Sequence, residues 1–244
     1  LLTGISLAVA AIPEGLPAIV TITLALSVNR ILRRGAVIRK LHAVETLGCA
    51  GVICTDKTGT ITQNKMTVQR IWVPGRTLNV SGSGYRAQGA VEENGRPVQA
   101  ARDAALGRLC EAASLCTTAH ITRAKDVYDV MGDPTEVAVL VAAAKAGVTK
   151  EALLQQYTVI GENPFDAARK RMSVTVSGPG GARLLCKGAP DMLLARCTHI
   201  ETPAGPRLLA PRDRADINAA CARMAGEALR VLGFAESSTP AAGE

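Results

Sequence analysis

Residues 54–62 read Cys-Thr-Asp-Lys-Thr-Gly-Thr-Ile-Thr, and Asp56 at the centre is the residue best suited to chemistry. The apolar stretch Gly51-Val52-Ile53-Cys54 before it predicts a short buried strand, and the glycine after it predicts a turn. A carboxylate at the end of a strand, beside a lysine and several hydroxyl residues, suits covalent phosphoryl transfer. The carboxylate attacks a terminal phosphate and an aspartyl-phosphate forms. The plainer role for such an Asp is to cap the turn. The length and specificity of the run CTDKTGT favour the nucleophile.

A second chemical group lies upstream. Gly4 to Val28 is almost wholly apolar and long enough to cross a bilayer as a helix, with Glu14 as its only charge. The basic cluster Arg30, Arg33, Arg34, Arg39 and Lys40 follows it. Basic residues just outside a span favour the cytoplasmic side, and no cleavage-site pattern of a signal peptide accompanies them. Pro13 and Pro17 bracket Glu14-Gly15-Leu16, and proline removes a backbone donor, so the helix is expected to break here. Freed carbonyls and one carboxylate are hard oxygen ligands, suited to a cation such as calcium. The alternative is a Glu hydrogen-bonded to a neighbouring helix.

The motifs PEGLP at 13–17, HAVETLG at 42–48 and CTDKTGT at 54–60 resemble the P-type cation-transporting ATPases, in that family's order and spacing. The PEGLP form is similar to the calcium-pump branch. The resemblance runs from Leu1 to about Ala235, with a less alignable stretch near 74–100. It implies that Asp56 is phosphorylated, that Lys57 and Thr58 contact the phosphate, and that Asp56 and the Thr58 carbonyl bind magnesium. It also implies that Glu14, with the carbonyls of Val9, Ala10 and Ile12, binds the transported ion. Phosphatases of the haloacid-dehalogenase type typically place a second Asp two residues after the nucleophile, as the acid–base that speeds hydrolysis. Here that residue is Thr58, which favours the longer-lived phosphoenzyme of a pump.

Around these groups the chain must supply positioning elements. Its 244 residues, less the span, leave roughly 200 residues, enough for one or two cytosolic domains. Aromatics make up 2% and do not alternate with basic residues, which argues against a nucleic-acid platform. The net charge of +7 suits an anionic ligand such as ATP or an ordinary solvated surface equally. The seven cysteines are odd in number and form no CxxC, so they read as reduced thiols. Cys110, Cys116 and His120 have no common zinc spacing.

Val68–Val73 predicts a strand, 74–100 a loop or hairpin, and Ala101–Ala119 a helix. Asp133 and Pro134 open a second helix, which Gly147 stops. Strands follow near 157–160, 172–176 and 183–186, with a helix from Pro190, a helix near 214–227 and a strand near 229–236. The expected architecture is one transmembrane helix (1–30) followed by an α/β cytosolic part. The resemblance divides that part into a partial haloacid-dehalogenase-like phosphorylation domain (31–64) and an inserted α+β nucleotide-binding domain (65–244).

Within the latter, Phe165 in NPFDAARKRMSV resembles the family's adenine-stacking residue, and stacking on a planar base is a sound role for it; otherwise it would pack in the core. Lys187 in KGAP resembles the lysine lining the nucleotide pocket. Glu136 in GDPTE matches the family's adenine-side Glu, but its position three after Asp133 equally makes a capping box. Arg169 and Arg230 match basic residues near the phosphates, where a guanidinium suits bidentate contact, and Met172 matches an apolar pocket position. The implied cofactors and partners are ATP, magnesium, a transported cation, the lipid bilayer and the rest of the same polypeptide. The family's TGES and TGDGxND segments do not occur in these residues. The chain is therefore expected to be a piece of a calcium pump, from the fourth transmembrane helix into the nucleotide domain, inactive by itself. A manganese or monovalent-cation pump, or an ATP-binding regulatory remnant without turnover, are the other readings.

Overall fold

A computed structural model describes residues 3–6, 15–86 and 88–238. The chain divides into two compact units, Leu1–Ile61 and Thr62–Glu244.

The first unit centres on α1 (Gly15–Leu32), none of whose residues is buried. At 18 residues and a mean hydropathy of 1.6 it is long and apolar enough to cross a membrane. Pro17 lies within this helix. The hydroxyls of Thr21, Thr23 and Ser27 donate to carbonyls four residues back, at 2.8, 2.8 and 2.9 Å, which hides them from apolar surroundings. Gly35, at φ +83°, ends the helix in the left-handed region that glycine adopts without strain. The short helix α2 (His42–Gly48) follows. Val9, Ala10, Ile12 and Glu14, the expected ion ligands, lie outside the described residues.

The strand expected at Gly51–Cys54 does not form: Val52 and Ile53 are exposed and residues 52–56 join no ladder. A strand needs neighbours to take its backbone donors and acceptors, and every named strand of the described residues lies in the second unit.

The second unit is α+β, and all its strand pairings among the described residues are antiparallel. The stretch expected as a loop or hairpin completes a four-stranded meander: β1 (Arg70–Val73), β2 (Arg76–Val80), β3 (Val91–Glu93) and β4 (Arg96–Pro97). Helix α3 (Ala104–Leu115) is capped by Asp103, which accepts from Leu106 N at 3.1 Å. A hairpin, β5 (His120–Ala124) and β6 (Val127–Met131), leads to α4 (Pro134–Lys145) and the short α5 (Lys150–Leu154). The second four-stranded sheet comprises β7 (Thr158–Asp166), β8 (Arg171–Gly178), β9 (Gly181–Gly188) and β12 (Gly233–Ser237), in the order β12-β9-β8-β7. Between β9 and β12 run α6 (Pro190–Leu194), the short pair β10 (His199–Ile200) and β11 (Arg207–Leu208), and α7 (Pro211–Gly226).

Helix α3 serves two cores. Ala105, Leu106 and Cys110 pack with the meander, while Ala112 and Leu115, with Cys116 just after the helix, pack on Met172, Val174, Val176 and Leu185 of the second sheet. Val174 and Leu185 are direct cross-strand partners, so alternate residues of β8 and β9 share that face. Helix α4 likewise divides: Ala142 and Ala143 join the meander's core, and Val137, Leu140 and Val141 pack with Tyr85 and Ile121.

Candidate functional site

The second sheet gathers most of the expected nucleotide residues at one end. Lys187 on β9 lies directly opposite Met172 on β8 and Phe234 on β12. Beyond Met172, Asn163 pairs with Ser173 and Asp166 with Arg171, so two residues of β7, Pro164 and Phe165, oppose one on β8. This is a β-bulge on an edge strand, the position where proline is tolerated because its missing donor breaks no ladder bond. The sheet therefore lines up Phe234, Lys187, Met172 and the Phe165 bulge across four strands spaced about 4.8 Å apart.

The bulge is fixed locally. Asp166 Oδ1 accepts from Ala168 N and Arg169 N, both at 2.8 Å, closing a tight turn. The Arg169 guanidinium returns to donate to the Pro164 carbonyl at 3.1 Å, next to Phe165. Those backbone bonds, Arg169 N first, hold the Asp166 carboxyl below its ordinary range. Phe165 is 62% exposed, so it is a ring presented at the surface and not a core residue. Met172 is 2% exposed and belongs to the core beneath the sheet. Arg230 is exposed, on the connection that leads into β12.

Glycine is required at Gly188 by close approach. A Cβ there would lie 2.5 Å from the Lys170 carbonyl oxygen and 2.7 Å from Arg171 Cβ. Ala189 N donates to that same Lys170 carbonyl at 3.0 Å, so KGAP runs against the turn that follows Phe165.

Lys187 and Glu136 form an ion pair with side chains 13% and 14% exposed. The geometry corrects the capping-box alternative for Glu136. Asp133 alone caps α4, accepting from Thr135 N at 2.8 Å. The Glu136 carboxylate turns instead to the segment after α3. Its Oε2 accepts from Thr117 Oγ1 at 2.8 Å and from Thr118 N, Thr118 Oγ1 and Ala119 N, each at 2.9 Å, while Oε1 receives Lys187 Nζ. Burial pushes the Glu136 carboxyl up, but the Lys187 hydrogen bond and charge and the threonine donors outweigh it and hold it down at about 2. The same demand for donors explains why α3 ends at Leu115, short of the expected Ala119: residues 117–119 are drawn out of helical geometry to serve the carboxylate.

Sequence reasoning missed the 117–119 segment, the β5–β6 hairpin and Lys150. Lys150 is 8% exposed, and its Nζ donates to the carbonyls of Thr117 at 2.8 Å and Ala119 at 3.0 Å. A lone lysine opening a short helix carries no signal in the sequence. The alternation Ile121, Val130 and Tyr128 around Lys125-Asp126 is the signal that could have found the hairpin. The thiols of Cys110 and Cys116 are pushed up to about 12, chiefly by burial.

In the first unit, Asp56 and its neighbours are exposed. Asp56 Oδ1 accepts from Lys57 N at 2.7 Å, and the chain turns through Gly59 at φ +78°. One carboxylate and the neighbouring Thr58 carbonyl are hard oxygen donors of the kind magnesium takes alongside phosphate oxygens.

A family model described as P-type ATPase, cytoplasmic domain N, matches residues 105–243, more than half of the chain. The chain belongs to that family. It is 44% identical over 235 residues to a calcium-transporting ATPase of Bacillus subtilis and 40% over 240 residues to the cation-transporting ATPase pma1 of Synechocystis. It is 39% identical over 237 residues to the Homo sapiens calcium-transporting ATPase type 2C member 1. These alignments cover 95–96% of the chain but 25–26% of each relative, so the chain spans about a quarter of the length of the curated relatives it matches.

Proposed function

We propose that the chain is the central stretch of an ATP-driven calcium pump that works through an aspartyl-phosphate at Asp56. Residues 31–64 form part of a haloacid-dehalogenase-like phosphorylation domain and 65–244 an inserted nucleotide-binding domain. The observation that carries the reading is the row Phe165, Met172 and Lys187 across one sheet end, with Lys187 held by Glu136, in a chain that also contains CTDKTGT. Calcium is favoured over other ions by the PEGLP form and by the calcium-transporting relatives.

In this reading the adenine stacks on the exposed face of Phe165. The stem of Lys187 forms the floor, backed by Met172 in the core beneath, with the ammonium at the rim. Glu136 is chiefly a holder of Lys187, since its carboxylate is already surrounded by protein donors. Arg169 and Arg230 are assigned to the phosphates by the family resemblance, a role that a guanidinium suits. An Asp56 oxygen attacks the terminal phosphorus, the bond from that phosphorus to the bridging oxygen breaks, and ADP leaves with that oxygen. Magnesium, held by Asp56 and the Thr58 carbonyl, would neutralise phosphate charge. Thr58, unlike an Asp, offers no acid–base for hydrolysis, so the acyl phosphate persists long enough to drive a conformational change. Glu14 and the carbonyls of Val9, Ala10 and Ile12 bind the calcium ion as transported substrate.

The test is an acid-stable phosphoenzyme formed from radiolabelled ATP by the full-length pump. Label should depend on calcium and vanish in Asp56→Asn. Label retained by that variant would overturn the nucleophile, and label indifferent to calcium would overturn the ion.

A further inference from the structure

The turn at Thr117–Ala119 is gripped from two sides. Glu136 takes its amides and hydroxyls, and Lys150 takes its carbonyls. Burying an ammonium is costly unless its donors are matched, yet Lys150 is buried and spends its hydrogen bonds on two backbone carbonyls. Burial lowers its pKa, partly offset by the charges of Glu136 and Glu151.

We infer that Lys150 is a positioning residue for the nucleotide site, acting on Lys187 through the 117–119 turn and Glu136. The inference rests on the reading of Lys187 as a nucleotide contact. Lys150 sets the carbonyls of Thr117 and Ala119. Peptide planarity then sets the Thr118 N–H and adjoining groups, these aim Glu136 Oε2, and Oε1 aims the Lys187 ammonium. The links between Lys150, the turn, Glu136 and Lys187 are hydrogen bonds made by buried or part-buried groups, so a shift at Lys150 changes how the turn presents its donors to Glu136. The chain of contacts joins α5 to β9.

The experiment is ATP titration of the full 244-residue chain in detergent, with thermal unfolding alongside. Lys150→Met keeps the stem and removes the donors. It should weaken ATP binding about tenfold, the equivalent of about 1.4 kcal/mol. The decisive measurement is the double variant with Lys187→Met. If Lys150 works through Lys187, its substitution costs little further affinity once Lys187 is gone, while the drop in unfolding temperature remains. Equal losses in both backgrounds, or no loss in the single variant while Lys187→Met binds weakly, would overturn the inference alone. Unchanged affinity in Lys187→Met would overturn the reading of the site and the inference with it. Should Lys150→Met not fold, Lys150→Arg keeps the buried cation while displacing its donors from the two carbonyls, and decides the matter. A two- to threefold loss that disappears in the Lys187→Met background supports the relay, and no loss refutes it.

Discussion

Glu136, in the first turn of α4, and Lys187 on β9, 51 positions apart in the chain, meet as a largely buried ion pair. The pair is asymmetric. Glu136 retains four other donors if Lys187 is removed, whereas the Lys187 ammonium is held by Glu136.

That asymmetry predicts different costs for the two halves. Glu136→Gln leaves both a cation and several donors poorly matched and should cost about 1–3 kcal/mol. Lys187→Met should cost less stability and more ATP affinity. Chemical unfolding and nucleotide titration of the same two variants check this, and a larger stability loss for Lys187→Met would contradict it.

The low carboxyl of Glu136 has a pH consequence of definite sign. Its folded value, about 2, lies below the ordinary 4.5, so its contribution is fully present above about pH 4.5. That contribution is lost as pH falls from there towards 2. The unfolding temperature of the wild type minus that of Glu136→Gln should therefore shrink over that window. A difference that stays constant across it would show that the carboxylate is not held as described.

Phe165 separates binding from folding. With its ring exposed, Phe165→Ala should change stability by no more than about 0.5 kcal/mol. Loss of base stacking should weaken ATP binding by about 1–3 kcal/mol. Unchanged titration together with a large stability loss would return Phe165 to a packing role.

Gly188→Ala places a methyl against the Lys170 carbonyl and Arg171. Overpacking of this kind costs about 1–3 kcal/mol. Because the strained turn lies beside the Phe165 bulge, ATP affinity should fall as well. Hydrogen exchange at Ala189, whose amide reaches Lys170, should quicken. Wild-type exchange there would mean that the two segments have room for the methyl.

Much of this protein is legible in its residues alone. CTDKTGT, PEGLP and KGAP mark the family because they are short, contiguous and made of unusual residue combinations. The strands β8 and β9 and the start of α4 are legible because apolar runs, an Asp N-cap and a first-turn proline act locally. The strand expected before Asp56 does not form because strand formation depends on neighbours, which no local run supplies. The capping box at Glu136 is the reverse case: spacing permits it, and distant partners prevail.

What the sequence alone determined, then, is which groups are present: the Asp56 carboxylate in CTDKTGT, an apolar span, an aromatic ring and a lysine in the expected order. What only the tertiary structure decided is how they are held. Antiparallel pairing set Met172 beside Lys187, a two-against-one bulge set Phe165 beside Met172, and a hydrogen-bonded relay tied Lys150 to Lys187 through residues 117–119. Those relationships join residues far apart in the chain. They depend on strand register and on which buried donors find which acceptors, quantities that exist only once the chain has closed on itself.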